Sequence, residues 1–295
     1  SSDLLGVAYF ELKQNHLALD AVDKALALQP TNTEALHNKS SILTMLGKID
    51  KAIDVYKQIL ALNPTSESAR YHLAKYGHAD ARSDAPTTAP ASYVTDLFDQ
   101  YAATFDDQLV GTLDYQAPTQ IGKLFRGLGL HAANLRALDL GCGTGLVAEQ
   151  LQDLQMQWTG IDLSQKMIAA AAKKSLYAQL HCASIENYLA RTPANFDLIT
   201  SADVFIYVGE LTSTFKLVSE HLNDNGWFVF SVEKSDQQPI VLRPSGRFAH
   251  SEAYLSGLAA QFGLTVQTVS PLTLRFDGNT PIDGLVVALQ KIKIS

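Results

Sequence analysis

Residues 138–146 read Leu-Asp-Leu-Gly-Cys-Gly-Thr-Gly-Leu, and no other stretch limits the fold of this chain so strongly. Gly141, Gly143 and Gly145 alternate, so the backbone can turn sharply and presents no Cβ where a ligand must touch it. The loop lies between a short apolar run and a helix-like stretch. From Arg136 onward, short apolar runs alternate with helical patterns, which predicts parallel strands joined by right-handed crossovers. Strands are expected near residues 137–140, 158–161, 178–182, 197–200 and 226–232. The tail, 264–269, 272–276 and 285–292, alternates like terminal strands closing the sheet as a hairpin about the turn Asp277-Gly278-Asn279-Thr280. Sheets of this kind bind ligands at the carboxyl ends of their strands, and the glycine loop sits at the end of the first.

Charge selects the ligand. A dinucleotide brings an anionic pyrophosphate, whereas S-adenosylmethionine brings a sulfonium, an ammonium and a carboxylate. Asp139 stands at the loop, where a carboxylate repels a pyrophosphate and suits a cation. The third glycine is followed by Leu146, not by the spacing of the Gly-x-Gly-x-x-Gly dinucleotide fingerprint. Both features favour adenosylmethionine over NAD. Gly160-Ile161-Asp162-Leu163-Ser164 ends the second strand, and Asp162 is placed to accept both ribose hydroxyls. Ser164 is expected to cap a helix containing Met167, which either packs under the adenine or belongs to the core.

The amino-terminal part carries a repeat. Pro30 and Pro64 are 34 residues apart, and Gly6, Tyr9, Ala18, Val22 and Ala25 align at that offset with Ser40, Leu43, Ala52, Tyr56 and Ile59. This resembles a tetratricopeptide repeat. Ala18 and Ala52 permit close helix approach, and Leu19, Val22, Leu26 and Ile53, Tyr56, Leu60 form apolar stripes. A third unit starts at Ser66 and stops at Gly77. The segment is either a groove for a protein or peptide partner or a stabilising appendage. A boundary follows, because residues 78–92 are rich in Ala, Pro, Ser and Thr, which divides the chain into 1–77, a linker 78–92, and 93–295.

The net charge of −7 and the absence of a basic cluster argue against nucleic acid. Apolar runs are too short for a membrane-spanning helix. Two cysteines are too few for a disulfide framework, which points to a reducing, cytoplasmic setting. No metal cluster is visible. The chain opens Ser-Ser without methionine or a leader, which suggests an excised fragment.

Residues 98–106, Phe-Asp-Gln-Tyr-Ala-Ala-Thr-Phe-Asp, resemble the aromatic-Asp segment that precedes the cofactor loop in many small-molecule methyltransferases and folds over the cofactor. With the glycine loop and Asp162, residues 93–295 resemble a class I S-adenosylmethionine-dependent methyltransferase. The whole chain is similar to bacterial predicted methyltransferases carrying tetratricopeptide repeats. The resemblance implies a Rossmann-like, doubly wound α/β sheet of seven strands with the last antiparallel, preceded by an all-α repeat segment. It also implies a lid formed by Tyr101 and Phe105. It places Asp139, Gly141, Cys142, Gly143 and Gly145 beside the methionine moiety, with Asp162 and Leu163 at the ribose. Many members have an Asp at the end of the third strand, where this chain has Ala183-Ser184-Ile185, so the adenine contacts fall to Ser184 and Ile185. Ala202 and Asp203, after the fourth strand, fall where the family lines the cofactor and acceptor pocket. Asp203 is alternatively a helix cap.

On the acceptor side, Glu233 follows the fifth strand. Arg243, Arg247, His250 and Tyr254 fall on a polar stretch read as a loop running into a helix, with Ser251 as the alternative cap. The implied reaction moves a methyl group from S-adenosylmethionine to a small molecule, or to an acceptor presented on a partner, on oxygen or nitrogen. An oxygen acceptor needs a base, for which His250, Glu233 and Tyr101 are the candidates. The alternative is an interaction scaffold that binds the cofactor without turning it over.

Overall fold

A computed structural model describes residues 14–77, 86–102, 105, 115–127, 134–277 and 280–292. The expectations for Gly6, Tyr9, 78–85, 103–104, 106–114, Leu128, Gly278 and Asn279 lie outside the described residues. The chain divides into two compact units: Ser1–Pro86 with Pro244–Gly246, and Thr87–Arg243 with Arg247–Ser295.

The first unit is a helical array of α1 (Asn15–Leu28), α2 (Thr33–Met45), α3 (Ile49–Leu62) and α4 (Glu67–Lys75). The repeat is written into its caps. Asn32 and Ser66, one period apart, each accept a backbone N–H three residues on, from Ala35 and Ala69. Gly77, with φ +77°, follows α4 in the left-handed conformation that ends helices. Ala18 and Ala52 are fully buried, and Val22, Tyr56 and Ile59 fill the space between helices.

The second unit begins with α5 (Ala91–Tyr101) and α6 (Ala117–Gly127). It continues through β1 (Arg136–Leu140), α7 (Leu146–Gln150), β2 (Gln157–Asp162), α8 (Gln165–Lys173), β3 (Tyr177–Cys182), α9 (Ile185–Leu189) and β4 (Phe196–Ser201). After these come α10 (Thr212–His221), β5 (Leu222–Lys234), β6 (Ile240–Leu242), β7 (Phe248–His250), α11 (Glu252–Gln261), β8 (Leu264–Asp277) and β9 (Thr280–Lys291). Strands β3-β2-β1-β4-β5 run parallel, and β9 lies antiparallel between β5 and β8. The strand order reverses at β1, which puts the glycine loop at the switch point. Along β5, Phe228 and Phe230 join one apolar cluster while Trp227 and Val229 join the other. Both faces are covered, which is why the strand reads as a continuous apolar run.

Three expectations about the sheet are corrected. It has nine strands, not seven, because the polar stretch read as a loop folds back as the β6–β7 hairpin, whose second strand runs parallel to the end of β5. The tail forms one 14-residue strand through Pro271 because it lies at the sheet edge, and its two register shifts absorb the irregularity. The fifth strand, expected from 226, begins at Leu222, and Asn223-Asp224-Asn225 lies inside it as an irregularity opposite β4, with Asn225 at φ +62°.

Candidate active site

The glycine loop leaves β1 and enters α7. Gly141, Gly143 and Gly145 all have positive φ, at +67°, +52° and +92°. The requirement for glycine is steric at Gly141, where an added Cβ would come within 2.2 Å of Val204 Cγ2. At Gly143, among the described residues, the nearest atom to such a Cβ is Phe105 Cε1 at 3.9 Å. Cys142 is buried, its N–H donates to the Ile161 carbonyl, and burial pushes its thiol well up.

Asp162 ends β2 and holds the loop. Its Oδ2 accepts the Gly143 N–H at 2.9 Å and its Oδ1 accepts the Ser164 N–H at 2.8 Å. Burial raises its pKa, and these amide hydrogen bonds oppose the rise. Each carboxylate oxygen keeps a lone pair free of these bonds, enough to accept a diol. Ser164 caps α8 by accepting the Met167 N–H, and its hydroxyl donates to Asp99 of α5. The Cys182 thiol donates to the Leu163 carbonyl. Met167 is fully buried, as core.

Asp139 lies under the loop with 1% of its surface exposed. Tyr177 donates to its Oδ2 at 2.7 Å and Thr200 to its Oδ1 at 2.9 Å. Burial outweighs these bonds and pushes its pKa up to about 6. A carboxylate so poised gains from a nearby cation, which fits a sulfonium and an ammonium and not a pyrophosphate.

Phe105 is half-buried, and its ring meets Phe98 edge-on at 6.0 Å. Phe98 in turn meets Tyr207 at 5.6 Å. Tyr101, in the last turn of α5, is 45% exposed. The Ser184 hydroxyl accepts the Asn187 N–H and caps α9, and Ile185 is buried in the main core. The side chain expected to meet adenine thus serves a helix end. Ala202 packs on the second apolar cluster.

At the β4 and β5 ends, Asp203 has φ +55°, and its N–H and Oδ1 both bond the Ser231 hydroxyl, so it does not cap a helix. Its Oδ2 pairs with Arg275 at 2.8 Å. Arg275 also pairs with Glu233, whose other oxygen lies 3.0 Å from Arg243. With both oxygens paired to guanidiniums, Glu233, expected as a base, instead anchors an ion network. His250 is also corrected. It sits on β7, is 0% exposed, bonds the Gly209 carbonyl through Nε2 at 2.9 Å and stacks on Tyr254. Burial lowers its pKa to about 4, so it is neutral and sealed at neutral pH. Ser251 caps α11.

Arg275, Tyr177 and Tyr115 were not expected here. The Tyr115 phenol is pushed up by burial, with Asp203, Asp139 and Tyr207 adding to the rise and Arg275 opposing it. A lone arginine amid the apolar alternation of the tail was the only sequence signal for Arg275; Tyr177 and Tyr115 had none.

Comparison with known proteins accords with this geometry. Residues 137–226 match the methyltransferase-domain family and 33–66 match a tetratricopeptide repeat. A ubiquinone biosynthesis O-methyltransferase from Nitrosospira multiformis is 30% identical over 171 residues, covering 52% of this chain and 71% of that protein. The protein of the same name from Chromobacterium violaceum is 29% identical over 157 residues, covering 47% and 68%. In three dimensions, magnesium protoporphyrin IX methyltransferase from Synechocystis with bound S-adenosylhomocysteine aligns with a TM-score of 0.54 at 16% identity, over 68% of this chain and 99% of that one. The chain belongs to the S-adenosylmethionine-dependent methyltransferases, and tetratricopeptide repeats precede its catalytic domain. The family supplies an enzyme, not a cofactor-binding scaffold. Among the described residues no helix is long and apolar enough to cross a membrane, and no group of residues could hold a metal ion.

Proposed function

We propose that the protein methylates an oxygen or nitrogen atom of a small molecule, with residues 93–295 as the catalytic domain, 1–77 as the repeat segment and 78–92 as the linker. The observation that carries this reading is the joint hold of Asp162 on Gly143 and Ser164 beside a loop whose three glycines all have positive φ. The names of the relatives, ubiquinone biosynthesis O-methyltransferases, favour oxygen.

S-adenosylmethionine carries an already activated methyl group, so the chain's task is positioning. Asp162 and Leu163 take the ribose. Gly141, Cys142, Gly143 and Gly145 line the methionine side above Asp139. Ser184 and Ile185 bound the adenine edge, the first through its backbone, since its hydroxyl caps α9, above the core residue Met167. Tyr101, in the last turn of α5, and Phe105 cover the cofactor, with Ala202 and Asp203 lining it toward the acceptor side. Of the three base candidates, only Tyr101 has an exposed and unclamped side chain. The repeats are read as a docking site for a protein or peptide partner and the setting as cytoplasmic, in keeping with two free cysteines.

Calorimetry with S-adenosylhomocysteine tests the first layer, with micromolar binding expected. Failure of the folded protein to bind would sink the proposal. Release of S-adenosylhomocysteine from S-adenosylmethionine in the presence of a small-molecule cell extract tests the second.

A further inference from the structure

Helix α5 ends at Tyr101, and little apolar packing holds it: among its described residues only Val94 is buried. A segment with so few buried contacts opens at low free-energy cost, so single ties decide where it rests. Two such ties meet near its C-terminal end. On one side Phe98 meets Phe105 and Tyr207 edge-on, at 6.0 and 5.6 Å. On the other, Asp99 accepts the Ser164 hydroxyl through Oδ1.

The Asp99 tie continues to the glycine loop. Ser164 is fully buried and spends both of its donors on carboxylates, the hydroxyl on Asp99 and the N–H on Asp162 Oδ1 at 2.8 Å. Its oxygen accepts the Met167 N–H at 3.1 Å, which fixes the hydroxyl at the start of α8. Asp162 Oδ2 in turn takes the Gly143 N–H. An unbroken hydrogen-bonded path therefore runs Asp99, Ser164, Asp162, Gly143. It sets two carboxylates on one serine, where they repel, and Asp99 adds to the rise in the Asp162 pKa. The Lys166 ammonium, donating to the Asp99 carbonyl at 3.4 Å, and the N-terminus of α8 offset part of that repulsion. A diol donating to Asp162 offsets more of it, because hydrogen bonds to a carboxylate stabilise its charge.

We propose that Asp99 is a positioning residue for the cofactor: acting through Ser164 it latches α5 to the ribose acid, and a ribose bound at Asp162 tightens the latch, which holds Phe98 and Tyr101 in place beside the cofactor. This rests on the reading of Asp162 as the ribose acid and adds the residue that couples an occupied site to the helix beside it. Phe105, which packs on Phe98, supplies the described atom nearest the outward side of Gly143. Such coupling is reciprocal: the factor by which the cofactor stabilises the latched helix is the factor by which the latched helix tightens cofactor binding.

Hydrogen–deuterium exchange of the full chain, with and without saturating S-adenosylhomocysteine, reads the latch on the amides of 91–101, and those of 136–150 report occupancy of the loop. In the wild type the ligand is expected to slow exchange of 91–101 about fivefold or more. In Asp99→Ala that added protection should shrink to less than about twofold, and affinity measured by calorimetry should fall by the factor lost. Protection of 136–150 should persist, which shows that the variant is folded and occupied. Asp99→Asn keeps an acceptor oxygen for Ser164 and should retain an intermediate share of both effects. Full ligand-dependent protection of 91–101 in Asp99→Ala, or in Asp99→Asn should the alanine variant not fold, overturns the proposal. Exchange of 91–101 that is faster by one factor with and without ligand overturns it too, because a purely structural role gives that result. So does a wild type whose ligand protects 136–150 and leaves 91–101 unchanged. Failure of the wild-type chain to bind S-adenosylhomocysteine is a different result and strikes the methyltransferase reading itself.

Discussion

Asp162 Oδ2 and the Gly143 amide lie 2.9 Å apart, so the acid at the end of one strand fixes the loop at the end of its neighbour. Shaping the loop and the proposed hold on a ribose therefore fall to one residue. Asp162→Ala should lower S-adenosylhomocysteine affinity by roughly 2–4 kcal/mol through lost charge-assisted hydrogen bonds. Asp162→Asn, which keeps one acceptor oxygen, should lose less. Calorimetry on both variants checks the order, and unchanged affinity in the alanine variant would remove Asp162 from the ribose.

Glu233 and Asp203 share Arg275, which makes the arginine more important to folding than to chemistry. Arg275→Met leaves two buried carboxylates short of a partner and should destabilise the fold by about 3–5 kcal/mol, read as a lower urea midpoint. Glu233→Gln should leave the acidic limb of the pH profile for methyl transfer in place, because a doubly paired carboxylate is not the base. A profile that loses that limb would restore Glu233 to catalysis.

Buried titratable groups give the stability a pH dependence of mixed sign. His250 and His72 have pKa values lowered by burial from 6.5 to about 4 and about 3, so their contribution is present above pH 6.5 and is lost as pH falls through those values. Asp139 is raised from 3.8 to about 6, so its contribution is present below 3.8 and is lost as pH rises through 6. Between about pH 4 and 6 they oppose each other. Chemical denaturation across that range should show a shallower acid loss in His250→Gln and a steeper one in Asp139→Asn. Identical slopes in all three proteins would mean these side chains are not buried as described.

Much of this was legible in the sequence because it is local. The glycine loop, Asp162 and the Ser164 cap are fixed by spacing within single turns, and the repeat by a 34-residue offset that recurs in the caps Asn32 and Ser66. The misreadings concern long-range placement. Ser184, expected at the adenine, spends its hydroxyl on α9, and His250, expected as a base, is carried into the core by β7. Arg275 lies 72 residues from Asp203 and 42 from Glu233, and no local pattern announces a pairing over that distance. The β6–β7 hairpin was hidden because its three-residue strands are too short to show an alternation.

The two glycines nearest the proposed ligand separate the fold's needs from the cofactor's. Alanine at either site must adopt a left-handed backbone, at a cost of about 1–2 kcal/mol. At Gly141 the new methyl also collides with Val204 Cγ2, so Gly141→Ala should lose stability and affinity together. At Gly143 nothing among the described residues lies closer than Phe105 at 3.9 Å, so Gly143→Ala should retain a melting temperature only a few degrees below wild type. Its methyl would nevertheless stand on the open face of the loop, the surface the cofactor is expected to touch. S-adenosylhomocysteine affinity should then fall about tenfold or more while the fold persists. If Gly143→Ala binds as the wild type does, the ligand does not lie over this glycine, and the open space above it serves the backbone's turn alone.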